Sequence, residues 1–141
     1  MTILDTDVFT HLTFGQANTC RHYEAVPESE PLAVTSITRT EVLRGRMDSL
    51  LTAGDEAQLM VATRRLLATE EVLADFLVLH IDETAARHFT TLKGQKKLNR
   101  MKRPDMLIAC IALAQQALLV TRNTKDFNKV AGLRLANWVD D

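Results

Sequence analysis

Short apolar runs alternate with longer amphipathic ones along this chain, and that alternation predicts its elements. Thr2–Leu4 is an apolar, β-branched run of strand length, and a helix is expected from about Asp7 through Gly15. Acids between Pro27 and Pro31 mark a loop, after which Leu32–Ile37 (L-A-V-T-S-I) reads as a second strand. Val42, Leu43, Met47, Leu50 and Leu51 recur at helical spacing, so Thr38–Leu51 is expected to be helical. Another amphipathic helix is expected from Asp55 to about Leu73, carrying Leu59, Ala62, Leu66 and Leu67. Phe76–Ile81 reads as a third strand, and Asp82 can cap a helix running through Ala85, Ala86 and Phe89 toward a basic stretch. Pro104 stands where helices accept a first-turn proline. The helix it opens is apolar on most sides, from Met106 to Leu113, and should lie against a sheet. Leu118–Thr121 is a fourth strand and Leu133–Leu135 a short fifth.

Strands alternating with helices specify an α/β fold, a mostly parallel sheet of four or five strands with helices on both faces. Such sheets collect functional residues just beyond the carboxyl ends of their strands. No repeat or linker divides the chain, and 141 residues suit one domain, residues 1–141. The apolar fraction of 46% is ordinary, and no apolar run approaches the roughly 20 residues of a membrane span. The first residues lack the pattern of a signal peptide, so a cytoplasmic protein is expected. Cys20 and Cys110 form no C-x-x-C and are expected to be buried free thiols.

Net charge is −1, which excludes a globally basic nucleic-acid coat. Charge is nevertheless concentrated locally. Six of the eleven residues in K-G-Q-K-K-L-N-R-M-K-R are basic, namely Lys93, Lys96, Lys97, Arg100, Lys102 and Arg103, and none is acidic. This stretch is a candidate for holding phosphates.

Acids appear where the strands end. The first strand runs straight into Asp5, the second leads within a turn or two to Glu41, and the fourth runs into T-R-N-T-K-D with Asn123 and Asp126. Asp105 stands in the first turn of the apolar helix that precedes the fourth strand, less simply placed by the same rule. Two carboxylates about 4 Å apart repel by roughly 4 kcal/mol at an effective dielectric of about 20. A helix N-terminus returns only about 0.3–1 kcal/mol each, so such a cluster calls for shared protons or a cation. Oxygen donors without Cys or His suit Mg²⁺ or Mn²⁺ rather than Zn²⁺. Such ions serve in-line displacement at a phosphodiester. The four histidines show no ligand spacing.

Four stretches, taken in order, resemble the PIN-domain family. L-D-T-D-V is similar to the family's L-D-T-N-V opening, and S-I-T-R-T-E-V-L-R-G to its S-x-x-T-x-x-E-L-x-x-G segment. P-D-M-L-I-A-C-I-A-L resembles its D-x-L-I-A-A-x-A-L helix, and L-V-T-R-N-T-K-D-F-N-K-V-A-G-L-R-L-A-N-W the C-terminal segment of VapC-type toxins. From about Asp48 to Asn99 only a helical pattern is shared, apart from V-L-H-I-D-E-T-A-A. The resemblance implies a three-layer PIN-like domain and a Mg²⁺- or Mn²⁺-dependent endoribonuclease. It implies a toxin–antitoxin pair with a VapB-like antitoxin, structured RNA such as tRNA or rRNA as substrate, and a homodimer. By the same resemblance Asp5 and Asp105 are metal ligands. Glu41 binds metal directly or through water, or helps to activate the attacking water, and Thr6 and Thr121 orient the acids. Two positions depart from the family pattern. Asp7 replaces the usual Asn, and Asn123 stands where many relatives have a fourth acid, which Asp126 would supply instead.

Two other functions fit parts of the sequence. A catalytically weak module binding RNA or protein is compatible with Asn123. A phosphatase using the D-x-D of Asp5–Asp7 would need an acidic pair after a later strand, and the only adjacent Asp pair is Asp140–Asp141.

Overall fold

The computed structural model describes all 141 residues and holds thirteen short elements. Strand β1 (Thr2–Leu4) is followed by α1 (Thr6–Thr13) and α2 (Ala17–Glu24), then β2 (Leu32–Thr35), α3 (Ser36–Leu51) and α4 (Glu56–Leu73). The second half runs β3 (Leu77–Leu79), α5 (Glu83–Lys93), a 3₁₀ turn (Lys96–Leu98), α6 (Arg103–Ala114), β4 (Leu118–Val120), α7 (Thr124–Phe127) and β5 (Arg134–Ala136). All five strands pair in parallel in the order β3-β2-β1-β4-β5.

Alternation along the central strands builds the three layers. Ile3 and Leu119 face a core formed with Ala85, Leu92, Met106, Ile108, Ala109 and Phe127, the α5–α6 side. Leu4, Val34 and Val120 face the opposite core with Val8, Phe9, Val42, Phe76 and Trp138, the α1–α4 side. α6 buries Met106 and every residue from Ile108 to Ala112, as expected of a helix apolar on most sides. At about 1.5–3 kcal/mol for each large side chain fully withdrawn from water, this helix is the main anchor of its layer.

The structure differs from the sequence reading in several places, among them the third strand, which spans only Leu77–Leu79 of the expected Phe76–Ile81. β2 ends at Thr35, not Ile37, because the Thr35 hydroxyl accepts the Thr38 N–H (3.1 Å) and starts α3 there. Asp5 similarly caps α1, which begins at Thr6 and stops at Thr13, before Gly15 turns the chain with φ +74°. α2 was not anticipated. Its sequence A-N-T-C-R-H-Y-E buries only Thr19 and presents no apolar stripe, while the Gln16 side chain caps it by accepting the Thr19 N–H (2.7 Å). Finally, Cys110 is buried as expected, its thiol pushed up to about 11 by burial, but Cys20 is only half-buried.

Candidate active site

Register carries the first three functional side chains to one row. Leu4 pairs with Val120 and Ile3 with Ala33, so the next residues outward are Asp5, Thr121 and Thr35 at the carboxyl edge. A slip of one residue would turn all three to the other face.

Asp5 is 6% exposed and held from two sides. Its Oδ1 accepts the Thr6 N–H and its Oδ2 the Thr121 hydroxyl, both at 2.8 Å. The Thr121 Oγ1 in turn accepts the Asn123 N–H (3.0 Å), which fixes the direction of its proton. Burial pushes the Asp5 carboxyl up to about 6 despite those hydrogen bonds, with Asp105 and Asp7 adding repulsion.

Glu41 is fixed by a second chain of hydroxyls. The Thr6 hydroxyl donates to Glu41 Oε1 at 2.8 Å and lies 2.9 Å from the Thr38 hydroxyl. Because its one proton is committed to the carboxylate, Thr6 accepts from Thr38. Thr38 is fully buried and one turn before Glu41 on the same face of α3. The sequence reading gave Thr38 no role, although a β-branched hydroxyl three residues before an acid on one helix is the signal that marks it.

Asp105 occupies the first turn of α6, after Pro104. Burial raises its carboxyl pKa, Glu41 and Asp126 raise it further, and Lys102 opposes them. These couplings run from Asp105 to Asp5, Glu41 and Asp126, so four acids share one electrostatic neighbourhood. As the side chains lie, no three of them are gathered to hold one ion. Asp126 is the most engaged of the four outside the hydroxyl network. Its Oδ2 accepts the Asn123 side-chain amide (3.0 Å), and its Oδ1 lies 3.8 Å from Lys129 Nζ. Asn123 also supplies the N-cap position of α7. Asp7 is exposed and turned toward His11, whose Nδ1 is 3.9 Å from its Oδ1.

The basic stretch, contiguous in sequence, divides in space. Lys93 and Arg103 lie over the Phe89 ring, at 5.7 and 4.9 Å from its centroid. Lys102 is the cation that opposes the rise of the Asp105 pKa. Lys97 and Arg100 line a small cavity beside Asp126, and Lys96 is exposed on the 3₁₀ turn. A wider hollow of about 360 Å³, lined by Ser36, Ile37, Thr40, Glu41, Arg44 and Pro104, opens beside Glu41. No helix is long and apolar enough to cross a membrane.

An all-parallel sheet with a row of coupled acids at its carboxyl edge defines the class. The chain matches the PIN domain over residues 2–133 and belongs to that family. Its similarity within the family is to VapC ribonucleases. It is 29% identical over 111 residues to the tRNA(fMet)-specific endonuclease VapC of Shigella flexneri, covering 76% of this chain and 75% of that one. It is 28% identical to ribonuclease VapC1 of Haemophilus influenzae strain R2866, covering 96% of each chain. Among solved structures, the fold is shared with FitAcB from Neisseria gonorrhoeae (TM-score 0.79, 21% identity, all of both chains). It is shared equally with VapBC-1 from nontypeable Haemophilus influenzae (TM-score 0.78, 23% identity, 99% and 98% of the chains).

Proposed function

We propose that this chain is a Mg²⁺- or Mn²⁺-dependent endoribonuclease and the toxin of a toxin–antitoxin pair. The observation that carries the reading is Asp5, a buried carboxylate raised toward neutrality and aimed by two fixed donors into a group of acids. Buried, mutually repelling oxygens are a donor set that a hard cation relieves. Asp5 and Asp105 would hold the ion. Two carboxylates suffice, because Mg²⁺ keeps several waters and takes further oxygens from a substrate phosphate. When bound, the ion supplies charge neutralisation at the phosphodiester and a more acidic water.

The remaining steps fall to the chain's own side chains. Thr121 and the Thr6 N–H keep the Asp5 oxygens in place, so little reorganisation accompanies substrate binding. The Thr38–Thr6 relay holds Glu41 at the rim of the open hollow, in position to accept a proton from attacking water. Asp126 adds negative charge beside Asp105 and completes the group in place of an acid at Asn123. The substrate class is structured RNA, in line with the tRNA named for the Shigella flexneri relative. The partner is a VapB-like antitoxin, in line with the VapBC complexes among the structural neighbours. A second reading, a module that binds RNA without cleaving it, is favoured only by Asn123 at the fourth position.

Incubating partner-free protein with total cellular RNA separates the two. Discrete fragments that require Mg²⁺ or Mn²⁺ and disappear with EDTA support the nuclease. RNA binding with no cleavage under either metal supports the binding module.

A further inference from the structure

Beside the acids lies a small, enclosed cavity of about 50 Å³, walled by Lys97, Arg100, Met101, Asp126 and Lys129. The three cations come from two parts of the chain: Lys97 and Arg100 from the basic stretch, on and just after the 3₁₀ turn, and Lys129 from the turn after α7. Folding therefore gathers what the sequence distributes, and Lys129 stands well apart from the basic stretch. Against three positive charges there is one negative, and it is already engaged. Asp126 accepts the Asn123 amide through Oδ2 and faces Lys129 through Oδ1. Lys97 and Arg100 form no ion pair. Three cations around one hollow, two of them without an acidic partner, leave it with an excess of positive charge that an anion would neutralise.

Size and chemistry select the anion. A water needs about 10–15 Å³ of such space, so the hollow accommodates a few waters or one tetrahedral oxyanion. A guanidinium offers a planar fork of donors and the two ammonium groups offer mobile point charges, the usual combination around phosphate. Asp126 forms one wall, and it is tied to Asp5 by hydrogen bonds: its Oδ2 accepts the Asn123 amide, the Asn123 N–H donates to Thr121 Oγ1, and that hydroxyl donates to Asp5, so the hollow adjoins the acidic centre.

We propose that Lys97, Arg100 and Lys129 form a binding pocket for one phosphate of the RNA strand, next to the phosphate presented to Asp5 and Asp105. This rests on the ribonuclease reading and names a substrate contact for it. The pocket positions the strand without reading its bases, since phosphate contacts carry no sequence information. It selects Lys97 and Arg100 from the basic stretch and adds Lys129.

The test is binding of a fluorescent single-stranded RNA in EDTA, by anisotropy across a salt series. The Asp5→Asn protein serves as background, so that no strand is cut. Lys129→Ala and Lys97→Ala, each added to that background, are expected to weaken binding about ten-fold. Each should also flatten the log–log salt dependence by about 0.7. Arg87→Ala, a change to an exposed cation on α5 bonded to Thr84, is the control and leaves both quantities unchanged. Inorganic phosphate, compared with chloride at matched ionic strength, should compete with RNA for the background protein and lose that advantage in Lys129→Ala. Unchanged affinity and slope in both lysine variants, with melting curves intact, would overturn the pocket even if Asp5-dependent cleavage is found. Conversely, RNA binding that depends on Lys97 and Lys129 in a protein that cuts nothing would leave the pocket standing and remove the nuclease reading.

Discussion

Acids gather at both ends of the central sheet, and the two ends treat them in opposite ways. Where β2 and β3 begin, Glu24, Glu28, Glu30 and Asp75 border a hollow of about 630 Å³. Glu30 there meets the Met1 amino group at 2.8 Å and the Thr2 hydroxyl at 3.0 Å. Those contacts, the amino group first, hold its carboxyl below the ordinary value. Where the strands end, Asp5 and Asp105 are instead raised, by burial first and by other acids after it. The larger hollow thus lies beside Glu30, whose charge the fold favours. Hollow size is a poor guide to the chemistry here. A site built to receive a cation is marked by carboxylates whose charge the fold leaves unfavourable.

The sharpest break in that comparison is mutational. Asp5→Asn should lower RNA cleavage by about 10³-fold or more, since a metal site is worth several kcal/mol in the transition state. Glu30→Gln, at the opposite end, should leave cleavage within a factor of about two. Rates measured side by side under Mg²⁺ would expose any reversal of that order.

The next effect is on the hydroxyls that hold the acids. Thr121→Val keeps the shape but leaves Asp5 Oδ2 and the Asn123 N–H without their partner. Thr38→Val leaves Thr6 with nothing to accept. Each should cost about 10–100-fold in metal affinity or activity. Retained folding, checked by melting, separates this from general destabilisation.

A third effect concerns pH. The folded-state pKa of Asp5 lies above its unfolded value, so the folded protein holds that proton more tightly. The stability it lends is fully present below about pH 3.8 and lost as pH rises through about 6. In metal-free protein the ionised carboxylate then costs up to about 3 kcal/mol at neutral pH. Asp5→Asn removes the charge and keeps Oδ1 on the Thr6 N–H, while its amide must donate to Thr121 Oγ1 and leaves the buried Thr121 proton without its acceptor, a smaller cost of about 1 kcal/mol. It should therefore melt higher than wild type at pH 7.5 and lose the advantage at pH 4, as followed by circular dichroism in EDTA. The smallest change belongs to Glu30→Gln, whose melting temperature should stay within about 2 °C of wild type.

The sequence displayed the two ends unequally. β1, β2 and β4 are short apolar runs that stop at Asp5, Thr35 and Thr121, so the strand-end rule finds the edge and most of its acids. Asp105 follows no strand directly, and its place in the group depends on how α6 packs, which periodicity does not report. α2 escaped notice because its capping by Gln16 and its single buried Thr19 leave no hydrophobic period to read. The basic stretch looked uniform because charge runs carry no direction. Only folding turns Lys93 and Arg103 onto Phe89 and Lys97 and Arg100 toward Lys129.

The central claim is that the carboxyl edge, not the opposite end, is the cation site. Mn²⁺ binding followed by electron paramagnetic resonance tests it without any substrate. The account predicts saturable binding in wild type and Glu30→Gln, and its loss in both Asp5→Asn and Asp105→Asn. Undiminished binding in the two aspartate variants, or its loss in Glu30→Gln, would contradict it.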